Sequence, residues 1–162
     1  CFNGPATPAL YPPSLHDALP ISDITQPAMD DIIQREQPDL VFHMAAQTSV
    51  TQSTKDPIND ANANALGTLR VIEACRRAGV EKIIYSCTGG ALYGDPETIP
   101  SPENTPIAPA SPYGMSKWIA EQYLSFYHRL YRLNVTSLRY GNVYGPRQDP
   151  HAIGRAPGRD IV

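Results

Sequence analysis

Tyr113 and Lys117 stand four residues apart in "SPYGMSKWIAEQYL" (111–124), just behind a Ser-Pro pair. Residues at i and i+4 share one helical face. A lysine ammonium beside a phenol favours the phenolate and lowers the tyrosine pKa from its ordinary value of about 10. A phenol tuned this way can take a proton from a sugar or alcohol hydroxyl near neutral pH. The lysine can also hydrogen-bond vicinal hydroxyls, such as those of a ribose. The spacing alone fits equally a half-exposed tyrosine with a solvated lysine, so position has to decide. Upstream, "SCTGG" (86–90) closes an apolar run and puts the Thr88 hydroxyl at a strand end. Gly89 and Gly90 behind it let a ligand approach the backbone closely, although they also suit a plain turn. A hydroxyl donor, a tuned phenol and a lysine form a proton-abstraction set for alcohol oxidation. Such an oxidation needs a hydride acceptor, which no side chain can be, so a nicotinamide cofactor is implied.

Regular elements must hold that set. "PDLVFHMAA" (38–46) is a short apolar run that reads as a buried strand. A helix precedes it in "QPAMDDIIQREQ", with Met29, Ile32 and Ile33 on one side. "NANALGTLRVIEACRRAG" places Leu66, Leu69, Ile72 and Cys75 at helical spacing, and Gly79 follows as a C-terminal cap. "EKIIYSCT" is a second buried strand. A proline-rich stretch over 89–112 reads as loop. Ser111 and Pro112 suit the cap and first turn of a helix over about 113–133. Its predicted inner face is Ile119, Tyr123, Phe126, Tyr127 and Leu130. "NVTSLRYGNVYG" supplies a third strand, ending near Tyr140. Strands alternating with helices imply a parallel, doubly wound α/β sheet, in which ligands sit beyond the carboxyl ends of the strands. His43 to Gln47, Ser86 to Gly90 and Tyr140 to Asn142 should therefore converge on one crevice.

Composition sets outer limits. The 162 residues are 41% hydrophobic and 18% charged, which suits one globular domain. A net charge of -3 gives no sign of nucleic-acid or membrane binding. No apolar run approaches the roughly 18 residues that would span a bilayer. The three cysteines, Cys1, Cys75 and Cys87, are scattered, without metal-ligand spacing. They read as free thiols of a reducing, cytoplasmic compartment, and no metal site is expected.

The central region resembles the extended short-chain dehydrogenase/reductase family, most of all its UDP-glucose 4-epimerases and their nucleotide-sugar relatives. The pieces that carry the resemblance are "SDIT" (22–25), "HMAAQTSV" (43–50), "NALGT" (64–68), "SCTGGALYGDP" (86–96), "SPYGMSK" (111–117) and "RYGNVYGPRQDP" (139–150). They follow the family's order and spacing over about residues 22 to 150. The resemblance implies a Rossmann-like sheet, NAD as cofactor and a UDP-hexose as substrate. It makes Tyr113 the catalytic tyrosine, Lys117 its partner and Thr88 the residue that binds the sugar 4-hydroxyl. Asp23 and Ile24 match the pair that receives the adenine. Ala45, Ala46 and Gln47 match the loop along the cofactor's ribose and phosphates. Asn64 matches a residue with a cofactor-side and partly structural part. Ser86 and Tyr140 would flank the nicotinamide, and Asn142 would contact the nucleotide sugar. The implied reaction oxidises C4 to a ketone, turns the sugar over and returns hydride to the other face. Relatives that eliminate water or carbon dioxide carry acidic residues just after the active-site threonine, because elimination needs an extra acid or base. Gly89 and Gly90 stand there, which favours epimerisation over 4,6-dehydration and leaves a 4-keto reductase as the alternative. Full-length relatives dimerise through two long helices, here about 62–78 and 113–132.

The pattern is also incomplete. A family member opens with a strand and a GxxGxxG turn that takes the cofactor's pyrophosphate at a helix N-terminus. Asp23 comes too early for that unit, and no C-terminal substrate domain follows. Residues 1–21, with "PPSLHDALPIS", and 151–162, with "GRAPGRDIV", match nothing in the family and read as junction sequence or disordered tails. The expectation is therefore an incomplete copy of an epimerase over 22–150, inactive by itself. A non-catalytic half-domain that kept the fold as a binding module is the competing reading.

Overall fold

The computed structural model describes residues 22–141, 143 and 146. Its elements run α1 (Ala28–Glu36), β1 (Leu40–His43), α2 (Val50–Lys55), α3 (Pro57–Ala61), a π-helical turn (Asn62–Leu66) and α4 (Gly67–Ala78). They continue through β2 (Lys82–Thr88), α5 (Gly89–Leu92), α6 (Pro112–Tyr131) and β3 (Asn134–Tyr140). The three strands form a parallel sheet in the order β1-β2-β3. The predicted alternation of strands and helices is thus observed, with α2, α3 and α5 added where the sequence pattern shows no long periodic run.

Local chemistry explains where the elements begin and end. The Ser111 hydroxyl accepts from Gly114 N at 3.1 Å, and Pro112 occupies the first turn of α6, where a missing N–H costs nothing. Asp56 caps α3 in the same way through Asn59 N at 3.0 Å. Gly79 ends α4 at φ 73°, a left-handed conformation that glycine adopts without strain.

Packing is one-sided. Val41, Ile83, Tyr85, Cys87 and Val135 point into a core built with Val71, Ile72, Cys75, Ala120 and Leu124 from α4 and α6, while α1 packs on α4 through Met29 and Ile33. Each fully buried aliphatic side chain of that set contributes roughly 2 kcal/mol. The opposite row, Leu40, Phe42, Leu138 and Tyr140, stays exposed among the described residues, with Phe42 at 60%.

Two predicted faces are corrected. On α6 the buried residues are Gly114, Ser116, Lys117, Ala120, Glu121 and Leu124, whereas Ile119, Tyr123, Phe126 and Leu130 are exposed and Tyr127 is half-buried. Hydrogen bonds at Ser116, the Tyr85 ring beside the Lys117 ammonium and an ion pair at Glu121 accommodate the polar side chains of the buried face, so it needs no apolar stripe. On α4 the buried stripe is Thr68, Val71, Ile72 and Cys75, with Leu66 exposed.

Candidate active site

The carboxyl ends of the strands bring the expected segments together. In register, Thr88 lies beside Tyr140, and His43 lies beside Tyr85, three residues short of the end of β2. Thr88 is both the last residue of β2 and the cap of α5: its Oγ1 accepts from Ala91 N at 3.2 Å. The same hydroxyl stands beside the Tyr113 phenol and pulls its pKa down. Burial outweighs that pull, and with repulsion from Cys87 and Asp60 it raises Tyr113 above its ordinary value. The expected lowering by Lys117 is not found. Lys117 is 3% exposed, its Nζ sits 4.3 Å from the centre of the Tyr85 ring, and burial pushes its own pKa down to about 8. An ammonium held over a ring and drawn toward neutrality is a weak partner for a phenolate.

The glycines after Thr88 have different duties. A Cβ on Gly89 would lie 3.2 Å from the Tyr140 carbonyl oxygen and 3.3 Å from that of Arg139, so the end of β3 leaves a side chain there little room. A Cβ on Gly90 would meet nothing within 4 Å, so the space above this turn is open to a ligand. Gly114 lets α6 approach α5, because a Cβ there would come within 2.5 Å of the Ala91 carbonyl oxygen.

Other sequence-predicted residues separate into supporting and open positions. His43 does not face the crevice: it is 4% exposed, hydrogen-bonds Thr68 Oγ1 at 2.8 Å and stands 5.5 Å from the Tyr85 ring. Burial, followed by repulsion from Lys117, lowers it to about 3, so it is neutral. Asn64, 1% exposed, clamps the Gln47 peptide, accepting from its N–H at 2.9 Å and donating to its carbonyl at 2.9 Å. The structural half of its expected part is observed. Ile24 packs its side chain into the core against Gly67, which leaves only its backbone for a ligand. Asp23 is exposed, and its carboxylate accepts from Thr25 N at 2.8 Å, which holds its pKa below the usual range. Ala45, Ala46 and Ser86 are half-buried and Tyr140 is 38% exposed, all at the open end of the sheet. Asn142 lies outside the described residues.

Two arrangements have no counterpart in the sequence reading. Asp60 gathers Gln47, Asn64 and Ser116 around one carboxylate. Glu121 takes Arg139 in a forked ion pair, with Nε at 3.2 Å and 3.1 Å from the two carboxylate oxygens, and Arg139 also donates to the Tyr93 hydroxyl at 2.8 Å. That pair fixes α6 against β3 one turn beyond Lys117. The i, i+4 spacing of Asp60 and Asn64, and of Lys117 and Glu121, was the available signal. Cys75 and Cys87 are free and buried, their thiols pushed up to about 12 by burial. No group of side chains suited to a metal ion occurs among the described residues.

The residues at the open end fit a nicotinamide cofactor: small side chains at Ala45, Ala46 and Gly90 leave room, and Tyr113 and Lys117 offer donors for sugar hydroxyls. Comparison with known proteins points the same way. A family model described as the NAD dependent epimerase/dehydratase family matches residues 11–159. The UDP-glucose 4-epimerase of Mycolicibacterium smegmatis is 44% identical over 130 residues, covering 80% of this chain and 42% of that protein. The putative UDP-glucose 4-epimerase of Methanocaldococcus jannaschii is 43% identical over 129 residues, again 80% and 42%. The UDP-glucose 4-epimerase structure from Thermotoga maritima, solved with UDP-glucose, superposes with a TM-score of 0.78 at 45% identity, covering 80% of this chain and 43% of that one. The Thermus thermophilus enzyme, solved with NAD, gives 0.76 at 48% identity, covering 80% and 42%. The chain thus spans about two-fifths of the length of the curated relatives it matches. A family match over nearly the whole sequence, joined to this parallel sheet, places the chain in the NAD-dependent epimerase/dehydratase family.

Proposed function

We propose that the chain carries the proton-transfer half of an NAD-dependent nucleotide-sugar 4-epimerase, acting on a UDP-hexose. The observation that carries this reading is the meeting of Thr88 and Tyr113 at the end of β2, with Lys117 one helical turn on. Thr88 Oγ1 holds the sugar 4-hydroxyl, and the Tyr113 side-chain oxygen is the group placed to take its proton, which requires that ligand binding bring its raised pKa down. Lys117 hydrogen-bonds the ribose hydroxyls, and Ser86 and Tyr140 border the nicotinamide. NAD, held along these residues, would supply the hydride acceptor that oxidation at C4 requires. Asp23 and the Ile24 backbone receive the adenine, and the loop Ala45–Ala46–Gln47 follows the ribose and phosphates. Asn142 contacts the nucleotide sugar. Gly89 and Gly90 place no carboxylate beside Thr88, which supports oxidation and return over elimination.

A homodimer through α4 and α6 goes with this reading, since α6 keeps Ile119, Tyr123, Phe126 and Leu130 exposed and Leu66 is exposed just before α4. So does a cytoplasmic location, where buried thiols such as Cys75 and Cys87 stay reduced. No helix among the described residues is long and apolar enough to cross a membrane.

The test is Tyr113→Phe in an enzyme that carries this chain in frame with the remainder of the domain. Interconversion of UDP-glucose and UDP-galactose is expected to fall roughly 100-fold to 10,000-fold, the usual worth of a positioned general base. Circular dichroism should stay unchanged, because the variant keeps the ring. Unchanged turnover would remove Tyr113 from the mechanism.

A further inference from the structure

Asp60 brings a carboxylate into the interior at 1% exposure, and the proton-transfer scheme above does not use it. Its oxygens are fully engaged. Oδ1 accepts from Gln47 Nε2 at 2.8 Å and from Asn64 Nδ2 at 3.0 Å, and Oδ2 accepts from the Ser116 hydroxyl at 2.6 Å. The three donors belong to three separate pieces: the loop after β1, the π-helical turn and the first turn of α6. Ser116 stands between Tyr113 and Lys117, and its hydroxyl also lies 3.0 Å from the Tyr113 carbonyl oxygen. A carboxylate is acceptor-only, so it can collect several donors at one point. An amide in its place would keep one acceptor oxygen and lose the charge.

We propose that Asp60 is the positioning residue of this site: it ties the first turn of α6, and with it Tyr113 and Lys117, to the loop that follows β1. The inference rests on the functional reading of Tyr113 and Lys117 given above. Asp60 has a second, electrostatic effect. Among the described residues, the titratable groups around Lys117 are His43 on β1, Asp60 on α3, and Tyr85 and Cys87 on β2, with Tyr113 and Glu121 one turn away on its own helix. Only Asp60 and Glu121 are carboxylates, and Arg139 occupies Glu121. Against the lowering by burial, Cys87 and then Asp60 raise the Lys117 pKa, and of these two only Asp60 is a carboxylate.

Two variants of the 162-residue chain test this, Asp60→Asn and Ser116→Ala. The measurements are amide hydrogen exchange at Gly114 to Lys117, compared with β2, and NMR titration of the Lys117 side chain. Loss of the Ser116 hydrogen bond is expected to speed exchange at 114–117 about fivefold or more in Ser116→Ala, with β2 unchanged. Asp60→Asn should move the Lys117 midpoint below that of the parent, while Ser116→Ala, which keeps the charge, should leave it in place. A structural role alone would not separate the variants in this way. Unchanged or uniformly faster exchange in Ser116→Ala overturns the proposal, as does an unmoved Lys117 midpoint in Asp60→Asn. Should Asp60→Asn fail to fold, exchange in Ser116→Ala decides alone. Neither measurement reads turnover, so this inference and the epimerase reading can each fail without the other.

Discussion

His43 and Lys117 share one buried patch around the Tyr85 ring, yet only one of them is available for chemistry. His43 spends its ring nitrogen on Thr68 and is held neutral by burial, down to about 3. An unfolded chain would protonate it below about 6.5, so the unfolded state binds the extra proton between about pH 6.5 and 3. Stability should therefore rise with pH across that window and be lost on acidification, with a one-proton slope of at most about 1.4 kcal/mol per pH unit. Urea unfolding at stepped pH should show this component in the parent and its loss in His43→Gln; equal slopes would refute the assignment. Thr88, Tyr113 and Lys117 were legible because their spacing and their place after a strand are local properties. The raised Tyr113 was not, since the burial responsible for it is made by residues distant in sequence. Asp60 was hidden for a related reason: its Ser116 partner lies 56 positions away, and neither residue joins an apolar rhythm.

Helix α6 shows how far periodicity reaches. Its ends were readable from Ser111, Pro112 and the length of the pattern, and it runs over Pro112–Tyr131. Its orientation was not. Two faces compete for the interior, and an apolar stripe says only that something apolar will cover it. The face that wins carries Lys117 and Glu121, because Tyr85, Asp60 and Arg139 satisfy them. Gly114 decides how closely this helix meets α5. Gly114→Ala gains about 1 kcal/mol in helix propensity, but its methyl would meet the Ala91 carbonyl oxygen at 2.5 Å. Overpacking of that kind costs roughly 1–3 kcal/mol, and a backbone carbonyl yields less than a flexible side chain. A net loss of stability is expected, seen as a lower Tm, together with a changed Tyr113 environment in NMR. A Tm at or above that of the parent would show that α5 moves aside freely.

At the scale of the whole molecule, the parallel sheet type followed directly from alternating strand and helix patterns. The distribution of covered and bare surface did not, because it depends on what else packs there. Ile119, Tyr123, Phe126 and Leu130 recur at spacings of four, three and four, which is one helical face. They remain 37–54% exposed, a large apolar strip for a monomer. Sedimentation of the chain is expected to show a dimer, and Phe126→Asp to shift it to monomer with helix content unchanged, since Phe126 is already 47% exposed. A monomeric parent would remove α6 from the interface.

The π-helical turn at Asn62–Leu66 sets a limit of another kind. It joins Asp60 and Asn64, which face α6 and the Gln47 loop, to Thr68, Val71 and Ile72, which face the sheet. Each residue of an α-helix advances the side chains by about 100°. The widened turn absorbs one surplus step, so both sets stay aimed at their targets. Removing a single residue such as Ala63 would close the turn to an ordinary α-helix with both sets still aimed, whereas removing a second would swing α4 by that angle relative to α3. In this segment the number of residues is constrained as well as their chemistry.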